Sequence, residues 1–246
     1  MSSWGALWER VQDLDFRSER PPWKFYKLLL NGQSLKGKRV VELGCGTGMN
    51  SMQFALAGAR VTLVDFSKEA LALARRNFEK HGLDAEYVHG DILDLRLKGF
   101  DIAHSDGVIE HFLGKARQGA VDAHADAVKK GGEAVIVVPH ARNLFYQVGK
   151  AAAKATGTWP FGNEYPYTWS ELRQRLGRAG LAPAAEEGGE LLFSLFWAFS
   201  PVWLGSDHLL RRTFSSRMPA WMERANQGHW LAKQAGRVIG VRAVKK

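Results

Sequence analysis

The sequence predicts a doubly wound α/β domain built on a mostly parallel sheet. Between positions 37 and 139, short runs rich in β-branched residues alternate with segments of helical periodicity. Strands separated in this way by helices are typical of βαβ units, and such units build parallel sheets. A further strand-like run lies near the end of the chain. The predicted strands are Lys38–Leu43, Arg60–Asp65, Ala85–His89, Phe100–His104, Glu133–Val138 and Gly236–Val244.

Two of the other segments carry helix-capping signals. Ser67 precedes a segment whose apolar residues recur with helical spacing, so it is predicted to cap a helix. Thr168 and Glu171 have the spacing of a capping box, and Gly180 is predicted to end the helix that follows. The apolar faces of these two helices are Ala70, Leu71, Ala74 and Phe78, and Leu172, Leu176 and Ala179.

The length of 246 residues fits a single domain, 1–246. Within it we predict a helical cap at 1–36, an α/β core at 37–187, an aromatic-rich insertion at 188–235 and the last strand at 236–246. The insertion has too many large apolar side chains to leave in water. They could form an extra packed subdomain, wall a pocket for an apolar or aromatic ligand, or lie in a membrane interface with arginines facing lipid phosphates. The residues concerned are Phe193, Phe196, Trp197, Phe199, Trp203, Phe214 and Trp221, with Arg211, Arg212 and Arg217.

The composition is that of an ordinary globular chain, with 46% hydrophobic and 24% charged residues. The net charge is +9, but the basic residues are dispersed and show no clear nucleic-acid signature, which favours a solvated basic surface or attraction to an acidic membrane. The single cysteine, Cys45, excludes an internal disulfide. We see no signal peptide and no apolar run long enough to span a membrane. The expected location is cytoplasmic, with peripheral membrane contact left open.

A glycine-rich loop follows the first predicted strand, in the sequence Glu42-Leu-Gly-Cys-Gly-Thr-Gly48. Glycines permit positive φ and close approach of the backbone to a ligand. In an open α/β sheet, ligands bind at the carboxyl ends of strands, where the strand order reverses. About twenty residues further on, the second strand ends in Asp65, an acid placed to accept hydrogen bonds from a ribose diol. These features fit any cofactor that carries a nucleoside.

Two details favour a cationic cofactor over a dinucleotide. A dinucleotide fingerprint requires Gly-x-Gly-x-x-Gly, but here position 49 is Met and the third glycine, Gly48, comes one residue early. In addition, Glu42 stands just before the first glycine, where a buried carboxylate would repel a pyrophosphate and attract a cation. S-adenosylmethionine carries an ammonium and a sulfonium and no phosphate. The charge pattern therefore selects it over NAD.

With these motifs the chain resembles the class I S-adenosylmethionine-dependent methyltransferases, strongly over about 36–140 and weakly at the closing hairpin of the sheet. The resemblance implies a Rossmann-like, mostly parallel seven-stranded sheet with helices on both faces. It also implies that Asp91, in His89-Gly-Asp-Ile92, meets the adenine amino group and that His104–His111 lines the methionine end of the cofactor. The implied product is S-adenosylhomocysteine, and no metal is expected. The predicted cofactor-binding residues are Glu42, Gly44, Cys45, Gly46, Gly48, Asn50, Asp65, Phe66, Asp91, Ile92, Ser105, Asp106 and Gly107.

Methyl transfer to oxygen or nitrogen often needs a base that takes the proton of the acceptor. His111 and His140 both follow strand ends on the cofactor side and are the catalytic candidates. The alternative is that the Glu110-His111 pair is structural and that catalysis relies on proximity and alignment. Tyr26, Tyr146, Glu164 and Tyr165 are predicted acceptor contacts, by their location in the sequence alone.

The leading functional hypothesis is methyl transfer to oxygen or nitrogen of a small apolar or aromatic metabolite. Alternatives are a methyltransferase acting on RNA, on protein or on a membrane-associated, lipid-like acceptor. Ser105-Asp-Gly-Val108 speaks against methylation of planar amino groups, because it lacks an Asn-Pro-Pro-Tyr cluster. A non-catalytic scaffold that binds the cofactor is an alternative of another class, and a dehydrogenase is the second enzyme alternative. The oligomeric state is left undetermined.

Overall fold

The structure is a computed structural model that describes residues 21–192, 194–195 and 230–246. Within these residues, seven strands form one sheet in the order β3-β2-β1-β4-β5-β7-β6. The strands are β1 (Arg39–Leu43), β2 (Arg60–Asp65), β3 (Glu86–His89), β4 (Phe100–Asp106), β5 (Val128–Pro139), β6 (Leu181–Gly189) and β7 (Val238–Lys245).

Helices cover both faces of this sheet, as predicted. The described helices are α1 (Pro21–Leu30), α2 (Met49–Leu56), α3 (Lys68–Lys80), α4 (Gly114–Ala127), α5 (Leu144–Ala155), α6 (Trp169–Arg178) and α7 (Trp230–Ala235), with a 3₁₀ turn at Ile109–His111. Ser67 caps α3 by accepting a hydrogen bond from the N–H of Ala70 at 3.2 Å, and Thr168 caps α6 through the N–H of Glu171 at 3.2 Å. Both predicted caps are confirmed.

The strand order reverses between β1 and β4. From β1 the chain builds β2 and β3 to one side, and it then returns to place β4 and β5 on the other side. Strands β1 to β5 pair in parallel, so the carboxyl ends of β1 and β4 lie side by side, with Glu42 opposite His104 in the register. This is the position at which open α/β sheets bind ligands.

The seventh strand is one that the sequence analysis left unassigned. β6 (Leu181–Gly189) pairs antiparallel with β7, and β7 is also antiparallel to β5. β6 extends two residues beyond the predicted end of the core at position 187. Its sequence contains no β-branched residue and includes Pro183, beside a break in the register. Proline is tolerated there because β6 is an edge strand.

Two hydrophobic layers hold the helices to the sheet. Consecutive residues of β1 point to opposite faces of the sheet. Val40 packs in the first layer and Val41 packs in the second. Helix α1 buries Phe25, Tyr26 and Leu29 in the first of these layers. This part of the predicted N-terminal helical cap is a helix packed on the domain, and residues 1–20 lie outside the described ranges.

The predicted aromatic-rich insertion lies mostly outside the described residues, including all the aromatic and arginine side chains named for it. Its described parts are 188–192, 194–195 and α7. Among the helices that the structure describes, none has the length and apolarity needed to cross a bilayer.

Candidate active site

The glycine loop between β1 and α2 adopts the left-handed backbone that its glycines predict. Gly44, Gly46 and Gly48 have φ values of 74°, 51° and 71°. A Cβ atom on Gly44 would lie 2.7 Å from a methyl group of Val108, which follows β4. The loop is tied to the neighbouring strand because the N–H groups of Gly44 and Cys45 both donate to the carbonyl of Val64 at 2.9 Å. A side chain is therefore excluded at position 44.

Asp65, at the end of β2, stabilises the glycine loop. Its carboxylate is buried and accepts hydrogen bonds from the N–H of Gly46 and the N–H of Ser67, each at 2.9 Å. Burial raises the pKa of Asp65, while these backbone donors oppose the rise. A carboxylate offers about four acceptor positions. Two are filled by N–H groups, which leaves capacity for the two hydroxyls of a ribose, so its predicted role is compatible with the geometry.

The predicted adenine-side residues lie on neighbouring strand ends. Phe66 follows β2 and is 50% exposed, while Asp91 and Ile92 follow β3. Asp91 is exposed, and one of its oxygens accepts from the N–H of Leu93 at 2.9 Å. Ile92 is buried in the hydrophobic layer. These residues offer an apolar ring and a carboxylate to a base, and their contact with adenine stays a prediction.

The predicted methionine end is acidic. Glu42 is buried at the end of β1, and among the described residues no group hydrogen-bonds its Oε2. Asn50 in α2 donates to Asp106 at the end of β4 at 3.3 Å, which links the two elements across the crevice. Burial raises the pKa of Glu42 to about 8 and that of Asp106 to about 6. An unpartnered carboxylate oxygen beside other acids fits a cation such as the ammonium of S-adenosylmethionine, which could reach this buried oxygen only after a rearrangement.

The side chain of Ser105 points away from the crevice. Its side chain is completely buried on the other face of the sheet, where its hydroxyl lies 2.9 Å from Nε2 of His124 in α4. Because neighbouring residues of a strand point to opposite faces, Asp106 can face the crevice and Ser105 cannot. Only the backbone of Ser105 could contact a cofactor.

Of the two catalytic candidates, His111 is the accessible one. Its side chain is 18% exposed, and Nδ1 lies 2.8 Å from the carbonyl oxygen of Asn163. A carbonyl can only accept, so Nδ1 carries the proton and Nε2 carries the lone pair. Nε2 lies 3.9 Å from Oε1 of Glu110, whose carboxyl is buried and has a pKa raised well above its ordinary value by burial. His111 is thus held in the tautomer that a general base requires.

His140 has a different environment. Its side chain is 1% exposed, its Nδ1 lies 3.3 Å from the carbonyl of Gly236, and burial lowers its pKa. Its backbone N–H donates to the carbonyl of Arg237 at 2.7 Å. His140 therefore joins the end of β5 to the start of β7, and an acceptor could reach its ring only after a rearrangement.

Of the four predicted acceptor contacts, the structure exposes only one substantially. Tyr26 is fully buried in the core, and Tyr146 is buried and donates a short hydrogen bond to Glu164. Glu164 is 7% exposed and also lies 3.9 Å from Nζ of Lys150. Tyr165 is 37% exposed, and its N–H donates to the carbonyl of Glu110 at 2.8 Å. The burial of Tyr26 and Tyr146 contradicts their prediction as acceptor contacts, because a side chain without exposed surface cannot touch an acceptor.

Several polar residues of the site were missed by the sequence analysis. Arg237 pairs with Glu190, which has a positive φ of 60°, and both act electrostatically on Asp106. The two residues are 47 positions apart and meet because Glu190 follows β6 and Arg237 precedes β7, the antiparallel neighbour of β6. Ser51 was also missed, since it belongs to no recognisable motif, whereas His104 was expected only as part of the segment His104–His111 and not as the partner of Ser51 at 3.1 Å. Only the pairing of the strands could have revealed them.

Glu110, His111 and Glu164 have ligand atoms within 4.8 Å of one another. Carboxylate and imidazole groups at that separation could hold a divalent cation. This arrangement is not one that the sequence predicted, because Glu164 lies 54 positions after Glu110.

The chain matches a family model described as a methyltransferase domain over residues 40–132. It is 32% identical over 163 residues to the ubiquinone biosynthesis O-methyltransferase of Ralstonia nicotianae, a match that covers 63% of this chain and 68% of that protein. It is 36% identical over 102 residues to the protein of the same name from Aromatoleum aromaticum, covering 40% of this chain and 43% of that relative. In that second match the chain spans less than half of the relative's length.

Solved structures share the fold. Magnesium protoporphyrin IX methyltransferase from Synechocystis with bound S-adenosylhomocysteine superimposes with a TM-score of 0.61 at 16% identity, covering 99% of this chain and 93% of that one. A TehB-like S-adenosylmethionine-dependent methyltransferase from Corynebacterium glutamicum gives 0.54 at 16% identity, covering 89% and 85%.

The doubly wound sheet, with its glycine loop and acids at the strand ends, defines an α/β protein that binds a nucleoside cofactor. The family match and the relatives specify which one. The chain belongs to the class I S-adenosylmethionine-dependent methyltransferases.

Proposed function

We propose that this protein transfers the methyl group of S-adenosylmethionine to a hydroxyl oxygen of a small apolar or aromatic molecule, with His111 as the base. The observation that carries the proposal is the position of His111. It follows β4, next to the acidic methionine end, with its tautomer fixed by Asn163. The names of the relatives, which are ubiquinone biosynthesis O-methyltransferases, support oxygen as the acceptor atom.

The chemistry assigns each group a role. The bound cofactor supplies an electrophilic methyl group on a sulfonium. When bound, it would offer its methyl carbon to the acceptor oxygen, and the electron pair of the breaking carbon–sulfur bond would stay on sulfur. Nε2 of His111 takes the proton of the hydroxyl, and Asn163 stabilises the resulting imidazolium through Nδ1–H. Asp65 and Glu42 orient the cofactor, and the glycine loop lets the backbone approach it.

The test is to incubate the protein with the tritiated methyl donor and four acceptor classes: phenols and catechols, aromatic amines, RNA and a protein extract. We expect label in the phenol fraction as methyl ether. Label in RNA or protein would favour the alternative substrate classes, and label in the amines would move the acceptor atom to nitrogen. Cofactor binding without any transfer would favour the scaffold hypothesis.

The cluster of Glu110, His111 and Glu164 provides a second way to activate a hydroxyl, because a divalent cation held there would lower the pKa of a bound oxygen. We propose that His111 acts without a metal. Activity that survives dialysis against a chelator supports this proposal. Loss of activity that magnesium or zinc restores would replace the base with a metal centre.

Peripheral contact with a membrane is also proposed, since an apolar acceptor would dissolve there. Leu144, Phe145 and Val148 on α5 are 70%, 45% and 51% exposed, and the chain has a net charge of +9. Apolar side chains beside basic charge favour an anionic lipid surface. Sedimentation with phosphatidylglycerol vesicles but not with phosphatidylcholine vesicles would support this contact, and no sedimentation with either would contradict it.

A further inference from the structure

Arg117 on α4 is a buried cation that takes no part in the proposed chemistry. It is 5% exposed, and it pairs with the carboxylate of Glu171 on α6 through two hydrogen bonds, one of 2.7 Å from Nε and one of 3.1 Å from Nη2. Its Cζ lies 3.6 Å from the centre of the ring of Tyr167. A bidentate pair together with an aromatic face fixes the plane of a guanidinium. The other N–H groups of Arg117 therefore have fixed directions.

Two of these N–H groups bind the segments that hold His111. Nη1 donates to the carbonyl of Phe112, and Nη2 donates to the carbonyl of Pro166, each at 3.3 Å. Phe112 directly follows His111 in the chain. Pro166 lies three residues after Asn163, whose carbonyl accepts the hydrogen bond from Nδ1 of His111. Both partners of that hydrogen bond therefore lie within three residues of a carbonyl that Arg117 binds.

A salt bridge between α4 and α6 would not need these two carbonyls. A lysine could supply the charge opposite Glu171, but only the planar arginine fork, with five N–H groups, can pair with both carboxylate oxygens and also reach two carbonyls. The two segments are also joined by the N–H of Tyr165, which donates to the carbonyl of Glu110 at 2.8 Å. Arg117 adds a second connection, so the segments cannot turn about a single bond.

We propose that Arg117 is a positioning residue for methyl transfer and that it acts through His111. It holds the Ile109–His111 turn and the segment 159–167 at the separation at which Asn163 keeps the ring proton of His111 on Nδ1. The inference rests on the proposed role of His111 as the base. Asn163 is exposed, so without Arg117 its carbonyl could turn towards water and the ring could adopt either tautomer. Only part of the molecules would then present an aligned base.

The first measurement is the tautomer of His111. Correlation spectra of ring hydrogens and ¹⁵N are recorded on the complex with S-adenosylhomocysteine, at a pH above the titration of an imidazole, and His111→Ala assigns the signals. In the wild type we expect the proton on Nδ1 and the lone pair on Nε2. In Arg117→Met, which keeps an unbranched side chain and removes the guanidinium, we expect the averaged ¹⁵N shifts of two tautomers.

The second measurement is methyl transfer from tritiated S-adenosylmethionine to catechol. In Arg117→Met, kcat should fall about 10- to 100-fold, the scale on which a misplaced catalytic group slows a reaction. The dissociation constant of S-adenosylhomocysteine should not change. In the background of His111→Ala, the same substitution should cause no further fall in kcat, because a residue that acts only through His111 has nothing left to position.

Two further variants separate positioning from packing. Arg175→Met is the matched control, because Arg175 donates to the same oxygen of Glu171 at 2.9 Å but to neither Phe112 nor Pro166. It should leave the tautomer and kcat unchanged. Arg117→Lys keeps a cation opposite Glu171 and so avoids an unpaired buried charge. It should change the tautomer in the same direction as Arg117→Met, and it decides the question if Arg117→Met does not fold.

The outcomes are distinguishable. If the Arg117 variants keep the wild-type tautomer, or if Arg117→Met lowers kcat further in the His111→Ala background, the inference is overturned and the proposed function stands. An equal effect of Arg175→Met would also overturn it, because the ion pair with Glu171 would then be the cause. If the wild type does not methylate catechol, or if His111→Ala is fully active, the proposed base is wrong and the inference falls with it.

Discussion

The two halves of the site are held together in different ways. The cofactor half, formed by the glycine loop and the ends of β1, β2 and β4, depends on backbone geometry. Its glycines have positive φ, and its acid Asp65 is anchored by backbone N–H groups. The proposed acceptor half consists of the Ile109–His111 turn, the segment 159–167 and the ends of β6 and β7.

In the proposed acceptor half, side-chain contacts add to backbone bonds such as that from Tyr165 to Glu110. Tyr146 donates to Glu164, Arg237 pairs with Glu190, and His111 donates to Asn163. The sequence of a binding loop that depends on backbone geometry can change little without loss of its ligand. A set of side-chain contacts can change one residue at a time. Backbone geometry therefore shapes the cofactor half, and we expect acceptor preference to depend on the side-chain contacts of the other half.

The largest expected effect is that of His111→Ala on turnover. If His111 is the base, kcat should fall by about 10²- to 10⁴-fold, since a positioned proton acceptor contributes on that scale. The dissociation constant of S-adenosylhomocysteine should not change, because His111 belongs to the acceptor half. Steady-state kinetics and calorimetry measure the two effects separately. A fully active variant would leave His111 a structural role.

Gly44→Ala tests the backbone geometry of the glycine loop. Its new Cβ would lie 2.7 Å from Val108 at a φ of 74°, so we expect the free energy of unfolding to fall by about 2–4 kcal/mol, together with loss of cofactor binding. Gly180→Ala is the matched control, since Gly180 has a φ of 73° and a Cβ added there would have no atom within 4 Å. It should cost about 1 kcal/mol. If urea denaturation showed that the two variants lose the same free energy of unfolding, the close approach of position 44 to Val108 would be unimportant.

Asp65→Ala is expected to weaken cofactor binding by about 1–3 kcal/mol, the scale of lost charge-assisted hydrogen bonds. Part of the loss would come from the loop, because Gly46 loses its acceptor. The exposed Asp94 on the neighbouring loop provides the control, and Asp94→Ala should bind normally. Unchanged affinity in Asp65→Ala would mean that the ribose lies elsewhere.

The last prediction concerns stability and pH. The pKa of Glu42 is about 8 in the folded protein and near its ordinary value when unfolded, so the folded state binds more protons between those values. The stability of the cofactor-free protein should therefore fall as the pH rises towards 8. Glu42→Gln should lose this part of the pH dependence. If the melting temperatures of the two proteins changed in parallel between pH 5 and pH 8, the result would contradict the pKa shift of Glu42.

The sequence by itself determined the cofactor half. Positive φ favours glycine whatever the surroundings, and an acid at the end of a β-branched run needs no distant partner to be recognised. The alternation of strands and helices likewise predicted the parallel core, and Ser67 and Thr168 predicted the starts of two helices. Each of these signals involves only a few neighbouring residues, so it can be recognised in the sequence.

Tertiary structure alone decided which polar groups face the crevice. Tyr26 and His104 meet across 78 positions, and His140 reaches Gly236 across 96, so burial removed Tyr26 from the predicted acceptor contacts and enclosed His140. The edge strand β6 was found only through its pairing with β7, because its own residues carry little strand propensity. Burial and pairing depend on which distant segments pack together. That information belongs to the folded chain as a whole, and no local pattern in the sequence contains it.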